Sequence, residues 1–342
     1  MTAGVSIVIV NHNGRGWLEE CLDSIRAQTY NFHQTIFVDN DSSDDSIEFV
    51  REHYPEVQII QSEGNPGFAG GSNLGLQYAT GEYVLLLNTD TRLEDDFLEN
   101  LLAAFDEIPA LGAVQPKIRM MDNPDKIQHC GHFWTDSSCI YLYGYGKDEN
   151  LQIYNRPFPI FAGTGAAMLV RKDALDKVGL FDESFWCYYE DVDLCSRLWL
   201  TGYECWYFPR ATVYHALGAT ANNFNRGTVR YHHVKNWLAY MVKNFEGRTL
   251  LSALPMFFLC NVLSLVFRLF QGEVEFVLPF LRALEYNLAH IGDLVAKRKT
   301  IQSLRKVSDR EIFSKVKRNP RLSYYYFLSR GPEKYRDSWE PE

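Results

Sequence analysis

Asp90 is the first residue whose position suggests chemistry. It follows the apolar run LLLNT, which predicts that it lies at the end of a buried strand. A lone carboxylate in such a place is costly unless water, a helix N-terminus or a cation compensates its charge. A hard divalent cation would satisfy Asp90 and leave coordination positions for phosphate oxygens. The alternative is that Asp90 caps the helix that follows.

Polar residues follow three predicted strands at the point where each strand ends. The segments are Asn11-His12-Asn13-Gly14, Asp39-Asn40-Asp41-Ser42-Ser43 and Asn88-Thr89-Asp90. Asn, Asp and Gly are also the usual residues of strand-to-helix turns and N-caps, which is the alternative for each segment taken alone. Because the carboxyl ends of parallel strands meet at one edge of a sheet, their joint occurrence favours a binding site.

A second acidic cluster, YYEDVDL, comes just before a helical apolar pattern that includes Leu194 and Leu198. Glu190 and Asp191 fall in or just before the first turn of that helix, where the helix dipole is expected to lower the carboxylate pKa. An ionised carboxylate there can act as a general base. The alternative is a run of acids that only stabilises the helix, and Asp193 fits that role.

The elements that must position these groups form a βαβ series. Short continuous apolar runs are typical of strands covered on both faces, and predict strands over Val5–Val10, Thr35–Val38, Val57–Ile60 and Tyr83–Leu87. Helical patterns cover 17–25, Asp44–His53, Ser72–Ala79 and Asp95–Phe105. We therefore predict an α/β fold with a mainly parallel, doubly wound sheet. Residues from Gly112 to about Pro159 show no regular pattern, and a strand is predicted over Ala166–Val170.

The two parts of the chain carry opposite charge. Residues 1–225 hold 14 Lys and Arg against 32 Asp and Glu, whereas residues 226–342 hold 20 against 11. We predict an α/β domain over 1–225 and a helical, basic region over 226–342.

The basic region contains an apolar segment and a polybasic one. Leu250–Phe267 carries no charge for 18 residues but includes Pro255, which favours an interfacial or re-entrant helix over a membrane span. Ten basic residues lie in Lys297–Arg321. An apolar face followed by a polybasic stretch is typical of docking to an anionic membrane surface, and argues against nucleic acid as the partner. The alternative is a helical hairpin that forms a dimer or domain interface.

Several other classes of site find no support. The seven cysteines are scattered without a CxxC pair, which favours a reducing cytosol over a disulfide framework, and the first residues lack the pattern of a secretory signal. The turn after the first strand lacks the third glycine of a dinucleotide-binding fingerprint, and no P-loop occurs. His129 and His132 have HxxH spacing without a further ligand nearby, and we predict ordinary loop or surface residues.

The motifs occur in an order that resembles family 2 glycosyltransferases of the GT-A fold, in particular their rhamnosyltransferase-like branch. The series spans about residues 4–220 and comprises SIVIVNHNG, FVDNDSSDDS, NPGFAGGSN, LLLNTDT, GTGAAM, FDE and YEDVD. Each motif alone is weak, whereas the ordered series is specific. The resemblance implies a GT-A domain over 1–225, a nucleotide-sugar donor and a glycan or glycolipid acceptor.

The resemblance also implies roles for residues around the donor. Asn11 would border the nucleotide, Asp39 would read the base and Asp41 would lie near the ribose. The residues implied to frame the donor are Asn65, Gly70 and Asn73.

Asn88-Thr89-Asp90 occupies the family's DXD position, with Asn88 in place of the first acid. Asp90 would then be the principal ligand of Mn²⁺ or Mg²⁺, with Asn88 at most an auxiliary one. His215 matches a histidine that completes the metal site in similar enzymes. On sequence alone it is a lone histidine in a strand-like stretch, where a structural role is the alternative.

Asp191 matches the family's catalytic base, which implies a single displacement that inverts the anomeric carbon. Glu190 would orient the acceptor or Asp191. Trp186, Tyr188 and Tyr189 would stack on acceptor sugars, with ordinary packing as the alternative. The donor expected first is dTDP-rhamnose, and the acceptor a lipid-linked surface glycan at the inner face of the cytoplasmic membrane. The other functions considered are a nucleotidyltransferase that makes a nucleotide sugar and a non-catalytic nucleotide-sugar-binding subunit.

Overall fold

The computed structural model describes residues 4–216, residues 225–321 and Tyr324. The strands are β1 (Val5–Asn11), β2 (Gln34–Asp39), β3 (Gln58–Gln61), β4 (Tyr83–Asn88), β5 (Thr91–Leu93), β6 (Leu111–Met120), β7 (Ile127–His129), β8 (His132–Trp134), β9 (Ile140–Leu142), β10 (Phe158–Pro159), β11 (Ala167–Arg171) and β12 (Glu204–His215). The helices are α1 (Arg15–Arg26), α2 (Ser46–His53), α3 (Gly67–Leu76), α4 (Phe97–Glu107), α5 (Lys172–Val178), α6 (Glu190–Leu200), α7 (Arg226–Asn244), α8 (Gly247–Phe270), α9 (Val277–Ala289), α10 (Ile291–Ser303) and α11 (Asp309–Val316).

A mixed sheet organises residues 4–216. Its strand order is β10-β12-β6-β11-β4-β1-β2-β3, and β3, β2, β1 and β4 run parallel to one another. β11 lies antiparallel between β4 and β6, and β12 runs parallel to β6. The predicted α/β fold with a mainly parallel sheet is confirmed. The carboxyl ends of β1, β2 and β4 meet at one edge, as the sequence predicts.

The sheet is buried on both faces. In β1, Ile7 and Ile9 pack with Leu18 of α1 and Leu98 of α4, whereas Val8 belongs to the opposite layer. Because neither face of the strand meets water, its side chains form a continuous apolar run rather than an alternating one.

Helix α3 begins five residues earlier than the sequence predicts. The glycines of Gly67-Phe68-Ala69-Gly70-Gly71 disfavour a helix, since glycine is a poor helix former. Packing overrides that preference: a Cβ on Gly71 would lie 2.6 Å from Asn40 Oδ1, and one on Gly75 would lie 2.5 Å from Val8 Cγ1. Glycine therefore lets α3 approach β1 and β2 more closely than a larger residue could.

The absence of a regular pattern after Gly112 is a wrong prediction, because β6 is a ten-residue buried strand. Its apolar pattern is broken by Gln115, Pro116 and Lys117, of which Gln115 and Lys117 are buried with polar partners. Gln115 donates to the His129 carbonyl at 3.2 Å, and Lys117 pairs with Glu149 at 3.2 Å. Tertiary partners that sequence does not reveal thus allow polar residues in a central strand.

Helices α7 to α11 pack against the sheet-containing part. Val234, Tyr240 and Met241 of α7 are buried in the same core cluster as Phe161. Helix α8 continues through Pro255 for 24 residues, and its predicted interfacial or re-entrant placement at a membrane stays a prediction. Among the described residues, α8 is the one helix that is long and apolar enough to cross a membrane.

The polybasic stretch differs from the expected membrane-facing run, because several of its charges pair within the chain. Lys315 binds Glu204 at 2.6 Å, and Lys317 binds Asp136 at 2.7 Å. Lys297 binds Asp182 at 2.8 Å. The opposite charges of the two parts therefore partly compensate one another inside one molecule.

Candidate functional site

Asp90 lies in the turn between β4 and β5. The N-cap position of the next helix, α4, is occupied by Asp96, so the N-cap alternative for Asp90 is wrong. β5 pairs antiparallel with the end of β12, with Thr91 opposite His215. The Ala216 amide donates to the Asp90 carbonyl at 2.9 Å. This pairing places the side chain of His215 next to that of Asp90 at the edge of the sheet.

The geometry of Asp90 and His215 suits a metal. His215 Nδ1 lies 2.7 Å from Gln128 Oε1, and because an amide oxygen only accepts, Nδ1 carries the hydrogen. The lone pair is therefore on Nε2, which lies 3.2 Å from Asp90 Oδ1. Asp90 is 3% exposed and its Oδ1 has no hydrogen-bond partner. A lone pair that faces a carboxylate oxygen is repulsive unless a cation lies between them, so these two residues fit a divalent metal.

Further ligands do not gather around this pair. No group of three or more His, Cys, Asp or Glu side chains in residues 4–216 and 225–321 is arranged to hold a metal. Asn88 lies half-buried at the end of β4, where its carbonyl accepts the Thr91 hydroxyl at 2.6 Å. A metal held by Asp90 and His215 would retain open positions for phosphate oxygens and water.

Asn11 and Asp39 meet at the ends of β1 and β2. Asn11 Nδ2 donates to Asp39 Oδ1 at 2.9 Å, and the Ser42 amide donates to Asp39 Oδ2 at 2.9 Å. Both side chains are almost fully buried. Asp41 lies at the exposed tip of this turn with a φ of 60°, a left-handed conformation that Asn and Asp adopt more readily than most residues. The structure thus brings Asn11 and Asp39 into contact, with Asp41 in the turn that follows β2, and their roles toward a donor nucleotide stay predictions.

Asn11 leaves one buried acceptor unused. Its Oδ1 has no hydrogen-bond partner, and a Cβ on Gly14 would lie 2.4 Å from that atom. A buried acceptor without a donor is costly, so Oδ1 is suited to a hydroxyl or N–H group of a ligand. Glycine at position 14 keeps the space beside it open.

The start of α3 connects the donor edge to the acidic cluster. The side-chain oxygen of Asn65 accepts from the Gly67 amide at 2.9 Å. The main-chain carbonyl of Asn65 accepts from Trp186 Nε1 at 3.1 Å. Asn73 donates to the Phe181 carbonyl and accepts from the Phe181 amide, both at 2.9 Å. Gly70 is buried within the helix. Asn73 and Gly70 therefore shape the site, and their direct contact with a donor stays a prediction.

Glu190 and Asp191 occupy the first turn of α6, as predicted. The expected lowering of their pKa by the helix dipole is wrong for both. Burial raises the pKa of Asp191, while the nearby His132 and the amides of Val192 and Gly165 act in the opposite direction. Burial, and next the charge of Asp191, raise the pKa of Glu190 well above its ordinary value. Loss of water outweighs the dipole here.

Asp191 differs from Asp193 in its partners. Asp191 accepts from the Gly165 amide at 3.2 Å and from the Val192 amide at 2.7 Å, and is partly exposed. Asp193 is fully buried and pairs with Arg197 and Lys243, each at 3.0 Å. Asp193 is thus structural, as the sequence suggests, while Asp191 has no cation within ion-pair distance among the described residues.

The segment before α6 is strained and is held by α7. Three of its residues that are not glycine have positive φ: Trp186 at 63°, Tyr188 at 71° and Tyr189 at 69°. Such conformations cost about 1–3 kcal/mol each and persist only where neighbours enforce them. Asn236 of α7 does so, because its side-chain amide lies within 2.9 Å of the carbonyls of Phe185, Cys187 and Tyr188.

The three aromatic residues of this segment also contact rings of α7. Trp186 stacks on His232 with centroids 5.0 Å apart, and Tyr188 contacts His233 at 4.5 Å. Tyr189 lies parallel to Trp237 at 6.4 Å. Each therefore has the packing role that was the alternative to acceptor stacking, and the stacking role stays a prediction.

His129 and His132 are not ordinary loop or surface residues, so that prediction is wrong. They end β7 and begin β8, with ring centroids 5.0 Å apart. Burial, then the charges of His132 and His215, lower the pKa of His129 well below its usual range. Because His132 also acts on Asp191 and His215 acts on His129, the two histidines lie near both Asp191 and the Asp90–His215 pair. For His129 and His132, the HxxH spacing was the signal of a functional site that the sequence offered. The sequence offered no such signal for Gln128 and Asn236.

The fold and these two acidic centres define a glycosyltransferase of the GT-A fold. The chain belongs to the family described as Glycosyl transferase family 2, whose model matches residues 6–179. This assignment supports glycosyltransferase activity rather than the nucleotidyltransferase or the non-catalytic binding subunit considered from the sequence.

The relatives include rhamnosyltransferases. The N-acetylglucosaminyl-diphospho-decaprenol L-rhamnosyltransferase of Mycobacterium tuberculosis is 26% identical over 263 residues, which cover 70% of this chain and 84% of that protein. Rhamnosyltransferase WbbL of Escherichia coli is 24% identical over 253 residues, covering 70% of this chain and 93% of that one. A mannosyltransferase from Pyrobaculum calidifontis, solved with GDP-Man and Mn²⁺, has a TM-score of 0.53 at 17% identity and covers 89% of this chain and 81% of its own. That likeness shows the fold.

Proposed function

We propose that the protein is an inverting glycosyltransferase that moves a sugar from a nucleotide-sugar donor to a hydroxyl of a lipid-linked surface glycan. The donor we expect first is dTDP-rhamnose, which the names of the rhamnosyltransferase relatives support. The acceptor of the mycobacterial relative is named as a diphospho-decaprenol lipid, which supports a site at the inner face of the cytoplasmic membrane.

The observation that carries the proposal is the setting of Asp191. It is a partly exposed carboxylate with no cationic partner among the described residues, held by two backbone amides at the sheet edge. Burial raises the pKa of Asp191, and a carboxylate with a raised pKa is a stronger base than an ordinary aspartate. Asp191 would take the proton of the acceptor hydroxyl as that oxygen attacks the anomeric carbon. One such displacement inverts the configuration.

The donor end of the site is assigned to the groups at the ends of β1, β2 and β4. Asn11 and Asp39 would bind the nucleotide, with the open Asn11 Oδ1 accepting from it. Asp90 and His215 would hold Mn²⁺ or Mg²⁺, with Asn88 as an auxiliary ligand, and the metal when bound neutralises charge on the leaving nucleoside diphosphate. The Mn²⁺ in the related mannosyltransferase supports this use of a divalent metal.

A panel of nucleotide sugars tests the proposal. Binding of dTDP, UDP and GDP sugars would be measured by calorimetry with Mn²⁺, with Mg²⁺ and with EDTA. We expect dTDP-rhamnose to bind most tightly, and only with metal. If no nucleotide sugar binds in either metal, the proposal fails, and a transferred sugar with retained anomeric configuration would overturn the single displacement.

A further inference from the structure

Three arginines gather where the start of α7 meets the end of α8. Arg226 Nη1 lies 3.4 Å from one oxygen of Glu273, and Arg268 Nη1 lies 2.6 Å from the other. Both guanidinium groups also lie over the Phe276 ring, at 4.9 and 4.0 Å from its centre. Glu273 is therefore the ion-pair partner of both Arg226 and Arg268, and Arg230 is the third arginine of the cluster.

Arg230 is the member of the cluster without an acid. Its Nη2 donates to Asn261 Oδ1 at 2.7 Å, and its Nε is shielded from solvent without a hydrogen-bond partner. Among the described residues no carboxylate lies within ion-pair distance of it. Burial, and next the charge of Arg268, lower the pKa of Arg230 to about 10. A shielded guanidinium in this state is stabilised by an anion, and its planar fork fits phosphate oxygens.

The cluster lies close to the segment that carries Tyr189 and Asp191. Burial raises the pKa of the Tyr189 hydroxyl, and the charge of Arg230 is near enough to oppose that rise. Tyr189 comes two residues before Asp191, and Asn261, the partner of Arg230, lies in α8. Arg230 therefore lies between α8 and the segment that leads into α6.

An apolar surface begins on the other side of the cluster. Six large apolar side chains of α8 and α9 are from 52% to 88% exposed: Leu251, Leu259, Leu263, Phe270, Leu281 and Leu288. Their spacing in α8 follows the helical repeat, opposite the inward-facing Ala253, Phe257 and Asn261. Large apolar side chains that are exposed in such number mark an interaction site.

We propose that Arg226, Arg230 and Arg268 bind the diphosphate of a polyprenyl-linked acceptor while the exposed face of α8 and α9 lies in the bilayer that holds its hydrocarbon chain. The proposal rests on the proposed function, and adds to it the site that selects the lipid carrier. An acceptor of this chemistry matches both features at once, since its head carries negative charge and its tail is apolar. A second copy of the chain would cover the apolar face and bring a second Arg230, which has no acid within ion-pair distance among the described residues.

Vesicle binding by the full chain tests the proposal. The vesicles are phosphatidylcholine alone, phosphatidylcholine with undecaprenyl diphosphate, and phosphatidylcholine with phosphatidylglycerol at equal surface charge. We expect the undecaprenyl diphosphate vesicles to bind roughly tenfold more tightly than the phosphatidylglycerol ones, because bidentate charge-assisted bonds favour the diphosphate. Arg230→Gln should abolish that preference and Arg230→Lys should keep part of it.

Two further variants distinguish a specific loss of the lipid preference from a folding defect. Arg226→Gln changes a side chain that is 64% exposed and should fold, with a preference reduced about threefold. Arg310→Gln removes an exposed arginine of α11 that has no partner among the described residues, and should leave the preference unchanged.

Three results would overturn the proposal: equal binding to both anionic vesicles, wild-type preference in Arg230→Gln, or a dimer in solution that binds no vesicle. Nucleotide-sugar binding by the wild-type protein is measured in parallel. Loss of the lipid preference with intact donor binding refutes this inference alone, whereas absent donor binding refutes the proposed function.

Discussion

Residues of one type take different roles at this site because their surroundings differ. Asp193 and Asp191 are two positions apart in α6, yet Asp193 is neutralised by Arg197 and Lys243, while no described cation lies within ion-pair distance of Asp191. A paired, buried carboxylate stabilises the fold, and an unpaired one retains a lone pair for proton transfer. The presence or absence of a cationic partner, more than the position in the helix, distinguishes the structural Asp193 from the candidate base Asp191.

Glu190 is expected to reduce stability at neutral pH. An unfolded glutamate has a pKa of about 4.3, and the folded value is raised by burial and by Asp191. As the pH rises between these values the unfolded chain releases a proton that the folded chain retains, so stability falls. Glu190→Gln should therefore raise Tm by a few degrees, roughly the effect of 1 kcal/mol.

Calorimetry across pH checks this prediction. The increase in Tm of Glu190→Gln over wild type should be present above about pH 4.3 and absent below it. Glu63→Gln, an exposed glutamate without a partner among the described residues, should change Tm at no pH. A lower Tm for Glu190→Gln at neutral pH would show that the ionised carboxylate stabilises the fold.

Gln128 is expected to control metal affinity through His215. Gln128→Leu removes the acceptor at Nδ1, so His215 no longer holds its Nε2 lone pair toward Asp90. Loss of such a partner typically weakens metal binding about 10- to 100-fold. Mn²⁺ titration by calorimetry measures the effect, and Gln58→Leu on the exposed start of β3 is the control. Unchanged Mn²⁺ affinity in both Gln128→Leu and His215→Ala would refute the metal pair.

At the scale of elements, α7 positions the candidate base by holding the segment before α6. Asn236→Ala would leave the carbonyls of Phe185, Cys187 and Tyr188 without this donor. We expect the free energy of unfolding to fall by about 2–4 kcal/mol, and turnover to fall further than donor binding, because the strained segment relaxes. Denaturant unfolding and the split between kcat and donor Kd measure the two effects.

Asn287→Ala is the matched control. Asn287 of α9 is also buried, and its amide donates to the carbonyls of Lys235 and Ala283 rather than to the strained segment. It should destabilise the protein while leaving turnover close to wild type. Equal losses of turnover in the two variants would mean that Asn236 acts through stability alone.

The elements also show what the sequence could predict. The apolar runs of β1, β2 and β4 predict the parallel sheet, and the polar residues that follow them predict the edge where the candidate site lies. The start of α3, the polar strand β6 and the roles of Gln128 and Asn236 depend on tertiary partners, which local propensity and periodicity do not contain. The expected pKa direction of Asp191 fails for the same reason, because burial is a property of the folded chain.

At the scale of the whole molecule, the helical region and the sheet-containing part stabilise one another. Lys243 of α7 is 2% exposed and binds both Asp182 and Asp193. Lys243→Met would leave two acids beside Phe185 without this cation, and removing one partner of a buried pair typically costs about 3–5 kcal/mol. Chemical unfolding measures the loss.

Lys299→Met is the control for that variant. Lys299 is exposed on α10 without a partner among the described residues, and its replacement should change stability by less than about 0.5 kcal/mol. If Lys243→Met is as stable as Lys299→Met, the contacts between the two parts contribute little, and the helical region would be an appendage rather than a support for the site.

The most direct test of the account is Asp191→Asn. The substitution keeps the size of the side chain and removes its capacity to take a proton. We predict that the nucleotide-sugar Kd stays within about threefold of wild type while kcat for transfer falls roughly 10²–10⁴-fold. Turnover close to wild type with donor binding intact would contradict the assignment of Asp191 as the base.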